Sequence, residues 1–369
     1  MKLAVVKIGA RIAINGSSTS GGTGETLSII SLLIKAGYKV DAYTKILDKD
    51  QMPSDFNILN IETEYTTINN KDYDCLIVLN GNANFFGGCE DINVMLTYDI
   101  INNFNGKVFY ILCDPNLTLK QIWKSVQGKA WGETYSQNNV LITRKDISIL
   151  TQSYNIEEVK KLVSKNNIDF SHIQYFPFEK FPLYTLEDMP YDGIFNTDVS
   201  YGGTFRNGKR EDDMIKYYFD YPEDINVEMF GKITIDNFND KKIKNLKPPI
   251  FNKSVKYDNF SNKMKESLST VIIGDILYKK LDDLAQRIYE SIRIGNIVFI
   301  DSTYDKYKRV FKNSDLRDLC YVESKDDVIN RIRHIKNNPN IINSIITAQR
   351  KDVEIDINNY LKELKSCFI

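Results

Sequence analysis

Short apolar runs rich in Val, Ile, Tyr and Phe alternate along this chain with longer stretches whose apolar positions fall three or four apart, the two rhythms of strand and helix. Residues 2–8 run apolar into Gly9, and a Gly- and Ser-rich loop from Gly16 to Gly24 then leads into the helical pattern LSIISLLIKAG. Further strands are expected at VDAYT (40–44), CLIVLN (75–80), KVFYILCD (107–114), VLITR (140–144) and IQYFPF (173–178). After a Pro- and Asp-containing stretch, 182–198, which reads as a linker, the rhythm starts again. Strands are expected at DVSYG (198–202), INVEMFG (225–231), STVIIG (269–274), GNIVFID (295–301) and CYV (320–322), with helices over 208–219, 281–293 and 325–337. The run from about 350 to 366 reads as a terminal helix.

Continuously apolar strands separated by helices of ten or more residues belong to parallel sheets covered on both faces, so the chain is α/β. Two such halves predict two domains whose strand C-termini face a ligand cleft. Composition narrows the class. With 42% hydrophobic and 26% charged residues in 369, the chain can bury two cores. Its five cysteines, Cys75, Cys89, Cys113, Cys320 and Cys367, are scattered, which supports neither a disulfide framework nor a zinc cluster and fits a reducing cytosol. The opening MKLAVVKIGARIAING turns polar too early for a secretory signal, and no run reaches the ~20 apolar residues of a membrane span. A net charge of −1 does not advertise a polyanion partner, so any such partner must meet a local patch.

The stretch Val199–Ser200–Tyr201–Gly202–Gly203–Thr204–Phe205–Arg206–Asn207–Gly208–Lys209–Arg210–Glu211 carries the strongest chemical signal. A strand runs into glycines, a hydroxyl and basic residues just before a helix. Glycine lets backbone approach an anion, the first helical turn has unpaired N–H groups, and arginine offers a planar fork for phosphoryl oxygens. The plainer reading is a surface turn before a charged helix. Arg287 and Glu290, three residues apart, share a helix face, where they could hold a phosphate and ribose hydroxyls or simply pair with each other. Asp114 ends a strand where α/β folds expose side chains, as a general base or as the cap of the next helix. Glu25, at a helix start, has the same ambiguity. The segment containing Lys241, Lys242, Lys244 and Lys247 reads as a solvated loop or a phosphate contact. Asp212–Asp213 and Asp282–Asp283 read as helical, His172 and His334 are isolated, and no metal site is predicted.

In order and wording these segments resemble the DNA beta-glucosyltransferase family of T-even bacteriophages. The likeness runs from Glu25–Thr26 through Asn84–Phe85–Phe86–Gly87–Gly88, Asp114, Tyr175–Phe176–Pro177–Phe178–Glu179 and the glycine–arginine segment to Ile272–Ile273–Gly274–Asp275 and Arg287 with Glu290. The resemblance implies a GT-B fold of two Rossmann-like domains facing a central cleft. Residues 1–190 would bind the acceptor DNA, 191–348 the UDP-sugar, and the helix in 349–369 would return to the first domain. It implies inverting transfer of glucose from UDP-glucose to 5-hydroxymethylcytosine in duplex DNA, by a monomer in the cytoplasm of an infected bacterium. A divalent cation would at most stimulate, without a dedicated protein site. Asp114 would be the base, with Glu25 towards the sugar and acceptor. Arg206, Arg210, Gly203 and Thr204 would grip the pyrophosphate, Arg287 would support it, Glu290 would bind the ribose, and Glu179 would line the donor side. The acceptor base would flip into the cleft, with Lys120, Lys124, Lys129, Trp123 and Trp131 as DNA contacts. The same chemistry on 5-hydroxymethyluracil or with another UDP-sugar, a small-molecule or protein acceptor, and a non-enzymatic nucleotide-sugar-binding module are the alternatives.

Overall fold

The computed structural model describes the chain apart from residues 13–20, 47–56, 61–63, 65–66, 71, 80–99, 113–143, 145, 165–169, 192, 206–209, 254 and 256. It divides into two units, Met1–Phe178 with Asp356–Ile369, and Glu179–Ile355. The sequence reading set these boundaries at 190/191 and 348/349.

The first unit holds β1 (Lys2–Ile12), β2 (Lys39–Ile46), β3 (Asn57–Asn60), β4 (Cys75–Leu79), β5 (Lys107–Leu112), β6 (Ile147–Thr151) and β7 (Phe170–Tyr175). They form a parallel sheet in the order β3-β2-β1-β4-β5-β6-β7. The second holds β8 (Thr197–Thr204), β9 (Val227–Lys232), β10 (Ile250–Asn252), β11 (Ser267–Ile272), β12 (Ile297–Asp301) and β13 (Tyr321–Val322) in the parallel order β10-β9-β8-β11-β12-β13. In both sheets the order reverses beside the first strand. β4, β11 and β12 are buried at every position, as expected for strands covered on two faces.

Several elements depart from the sequence reading. Of the strand expected at 140–144, residues 140–143 lie outside the described residues. Arg144 is irregular, its guanidinium donating to the carbonyls of Phe104 and Gly106 and pairing with Asp146. The sixth strand is Ile147–Thr151. The expected helix 281–293 begins at Gln286, because Asp282 takes a left-handed φ of 51° and ends the preceding helix Ile276–Leu281. Asp282–Asp283 are therefore not helical. The run 350–366 is two helices, Ile342–Val353 and Ile357–Cys367, the second capped by Asp356, whose Oδ1 accepts from Asn358 N (3.0 Å) and Asn359 N (3.1 Å).

That last helix belongs to the first unit. Tyr360 donates its hydroxyl to the Pro177 carbonyl (3.0 Å) and packs against Phe176, while Phe368, fully buried, meets Tyr38 and Phe109 edge to face. The expected return of the C-terminal helix is thus present.

Candidate functional site

In the second sheet the order reverses at β8, whose neighbours are β9 and β11, and ligands of open α/β sheets bind outside the C-terminal strand ends at such a point. Backbones crowd here. Gly231 of β9 has φ +125°, and a Cβ on it would stand 1.9 Å from the carbonyl oxygen of its register partner Gly203. Gly202 is equally constrained: a Cβ there would lie 2.7 Å from the ring of Phe260. The glycines of the sequence motif thus admit a neighbouring strand and an aromatic ring, and leave Gly203 partly exposed and Thr204 exposed at the strand end.

Two arginines are held on either side of this strand end. Arg210 precedes the helix Glu211–Tyr218; its Nη1 donates to the Tyr201 hydroxyl at 3.4 Å, and its guanidinium lies 5.9 Å from the Tyr278 ring centroid. Arg287, in the helix Gln286–Ile294, lies 3.9 Å over the face of Phe260. Its Nη1 is 2.8 Å from Glu290 Oε2, yet it is shielded from solvent and makes no aligned hydrogen bond. The i,i+3 spacing therefore does produce a pair, and one partner retains a donor suited to an incoming acceptor.

The three acidic residues opening the helix after Arg210 do not oppose an anion there, because each is committed to a lysine. Lys242 lies 2.8 Å from both Glu211 and Asp212, and Lys279 lies 2.7 Å from Asp213. The Lys242 ammonium holds the Glu211 carboxyl below its ordinary pKa. Lys242, from the basic segment, is therefore a partner of this helix, whereas Lys241, Lys244 and Lys247 are exposed.

The loop after β11 sets the far side. A Cβ on Gly274 would stand 2.2 Å from the Tyr304 ring, and Tyr304 accepts at its hydroxyl from Ala285 N (2.6 Å), the residue before the helix of Arg287. Burial pushes the Tyr304 hydroxyl far above its ordinary pKa, so it stays neutral. Asp275 is a cap, its Oδ1 accepting from Leu277 N and Tyr278 N, each at 3.0 Å. Phe260, Tyr278 and Tyr304 were not singled out from the sequence. For Phe260 and Tyr304 the only hint is the glycine each contact requires, which signals close approach without naming the approaching residue, and for Tyr278 there is none.

Gly203, Thr204, Arg210, Arg287 and Glu290 are thus placed around one strand end and the helices beside it. Glu179 is 2% exposed in the turn Phe178–Lys180. Glu25 falls in the helix Gly21–Lys35, its side chain outside the described part. Asp114, Arg206, Lys120, Trp123, Lys124, Lys129 and Trp131 lie outside the described residues, the first of them just beyond the end of β5 at Leu112. Among the described residues no group of three or more His, Cys, Asp or Glu could hold a metal ion, and no helix is long and apolar enough to cross a membrane.

Two parallel Rossmann-like sheets and a returning C-terminal helix define the GT-B fold. Residues 1–182 match the family model described as bacteriophage T4 beta-glucosyltransferase. The chain is 26% identical over 376 residues to the DNA beta-glucosyltransferase of Enterobacteria phage T4, covering 99% of this chain and 97% of that one. It superposes with a TM-score of 0.80 on the solved T4 phage enzyme in complex with UDP-glucose, at 21% identity over 100% of this chain and 99% of the other. An alpha-glucosyltransferase solved with UDP and a 13-mer DNA containing an HMU base gives 0.66 at 14% identity, again over 100% and 99% of the two chains. The chain is thus similar along its full length to a bacteriophage T4 DNA beta-glucosyltransferase, with the family model matched over its first half.

Proposed function

We propose that this protein transfers glucose from UDP-glucose, with inversion, to the hydroxymethyl oxygen of 5-hydroxymethylcytosine in duplex DNA inside an infected bacterial cell. The observation that carries the reading is the pair of arginines flanking the glycine-lined end of β8, in a chain similar throughout to a phage DNA beta-glucosyltransferase.

Arg206 and Arg210, with the Gly203–Thr204 backbone, grip the pyrophosphate; Arg287 supports it, Glu290 accepts from ribose hydroxyls, and Glu179 lines the donor side. Lys120, Lys124, Lys129, Trp123 and Trp131 contact DNA whose modified nucleotide is flipped out of the stack. Asp114 takes the proton of the hydroxymethyl group as its oxygen forms a bond to the anomeric carbon, and Glu25 lies towards the sugar and acceptor. The bond from that carbon to the UDP oxygen breaks, its electron pair leaves with UDP, and configuration inverts. The growing phosphate charge is met by arginines already in place, whose planar donors need little reorganisation. A divalent cation, as in the solved T4 phage enzyme with UDP and Mn2+, would at most stimulate the reaction by offsetting charge on the donor, without a dedicated protein site.

Mass analysis of nucleosides tests the reading. Duplexes containing 5-hydroxymethylcytosine, 5-hydroxymethyluracil or cytosine are incubated with the protein and a panel of UDP-sugars. A hexose-sized gain from UDP-glucose on 5-hydroxymethylcytosine alone supports it. A gain on 5-hydroxymethyluracil, the base class in the alpha-glucosyltransferase complex, reassigns the acceptor. No gain on any duplex, with transfer to a nucleoside or glycan, removes DNA as the substrate.

A further inference from the structure

We propose that Phe260 is a positioning residue for the donor: its ring face fixes the Arg287 guanidinium at the end of β8, and Gly202 is glycine because that ring occupies the space of a side chain. The inference rests on reading Arg287 as a donor-phosphate group.

Phe260 sits on the helix Tyr257–Lys265, packed against Phe230 with ring centroids 5.5 Å apart. Its edge closes on Gly202, where a Cβ would meet Cε2 and Cζ at 2.7 Å, and Phe230 Cζ would crowd the same Cβ at 2.8 Å. The ring is therefore wedged between a strand and a neighbouring aromatic. The Arg287 guanidinium centre lies 3.9 Å from the ring centroid, close enough for a strong cation–π contact. An arginine side chain loses considerable rotamer freedom when it binds an anion, and a ring that holds the fork beforehand reduces that loss. Glu290, 2.8 Å from Nη1, supplies a second constraint from the same helix. A ring face competes for none of the in-plane N–H groups that a phosphate needs, whereas a second carboxylate would occupy them.

Leucine at 260 keeps apolar bulk without a π face, tyrosine keeps the face, and trifluorophenylalanine keeps the shape while weakening the electrostatic attraction. UDP-glucose is titrated calorimetrically into the full chain carrying Phe260→Leu, Phe260→Tyr, trifluorophenylalanine at 260, Arg287→Ala, or Phe260→Leu with Arg287→Ala. We expect Phe260→Leu to raise Kd about three- to tenfold, trifluorophenylalanine to raise it by a smaller factor, and Phe260→Tyr to stay within about twofold. In the Arg287→Ala background Phe260→Leu should have no further effect, because a residue acting through another loses its influence once that other is gone. An equal weakening in both backgrounds makes Phe260 mere packing and overturns the proposal, as does unchanged Kd in Phe260→Leu and the trifluoro variant. If Phe260→Leu fails to fold, the isosteric trifluoro variant decides. Unchanged Kd in Arg287→Ala instead removes the donor reading of Arg287, and the proposal with it.

Discussion

Two cations near the C-terminal edge of the second sheet are held in opposite ways. Lys279 Nζ sits 2.7 Å from Asp213 Oδ2 and 3.1 Å from Asp301 Oδ2. Asp301 is wholly buried and also accepts from the Tyr217 hydroxyl (3.0 Å) and the Thr303 hydroxyl (2.6 Å). Burial opposes the Lys279 ammonium, yet the two carboxylates outweigh it and raise its pKa. Arg287, by contrast, lies on an aromatic face beside one carboxylate and keeps a donor without an aligned partner. The first arrangement closes a charge network on itself and ties the helix Glu211–Tyr218 to β12. The second leaves a buried donor without an aligned acceptor. Charge at a sheet edge thus says little about function until its hydrogen bonds have been assigned.

The arginines meet the charge of the leaving phosphate, so removal of the acceptor's proton must depend on another residue. Asp114→Ala should lower kcat about 10²- to 10⁴-fold while UDP-glucose Kd stays within about twofold, since a general base acts mainly in the transition state. Single-turnover kinetics beside calorimetry reads both quantities. A parallel loss of affinity would make Asp114 a donor-binding or structural residue.

The closed network should break structurally. Asp301→Ala leaves Lys279 with Asp213 alone and the Tyr217 hydroxyl with only the Val322 carbonyl at 3.3 Å, so about 1–3 kcal/mol of stability should be lost in urea unfolding. Donor affinity of the folded protein should change less than about threefold. Arg210→Ala should do the reverse. Loss of a charge-assisted contact should raise donor Kd about 10- to 100-fold, whereas unfolding should be affected less than in Asp301→Ala. If both variants lose stability alike, the two regions do not differ as described.

The alternation of strand and helix was legible because continuously apolar runs such as CLIVL and IVFID become fully buried parallel strands. The short edge strands NILN and IFN were not, since three or four residues carry no rhythm. Asp282 shows the other limit. The pattern around it reads as one helix without glycine or proline, but its carbonyl accepts from Arg309 Nη2 (2.6 Å) and its carboxylate meets Lys306 (3.2 Å). Those partners lie in a later loop, and they stabilise a break that local propensity does not announce. The candidate site divides likewise. Gly202, Gly203, Arg210, Arg287 and Glu290 were visible as residue types in a telling order, whereas Phe260 and Tyr304 act through contacts between segments distant in sequence.

The smallest expected effect concerns the latch between these regions. Glu211 Oε1 accepts from Asn239 N (2.6 Å) and Oε2 lies 2.8 Å from Lys242, which also meets Asp212. Because Lys242 depresses the Glu211 pKa in the folded state, the stabilisation is fully present above the unfolded value of about 4.3 and is lost as pH falls through the lower folded value. Lys242 is exposed, so solvent screens the pair and its contribution is small. Glu211→Gln should therefore be less stable than the parent at pH 7, and the difference should shrink as both are unfolded at progressively lower pH. Glutamine can still accept from Asn239 N, which isolates the ionic part of the latch. A difference that stayed constant with pH would place the stabilisation in side-chain packing rather than charge. Since Arg210 is the preceding residue, the latch should also influence donor binding, but by a smaller factor than Arg210→Ala, because loosening the helix start leaves the guanidinium in the molecule.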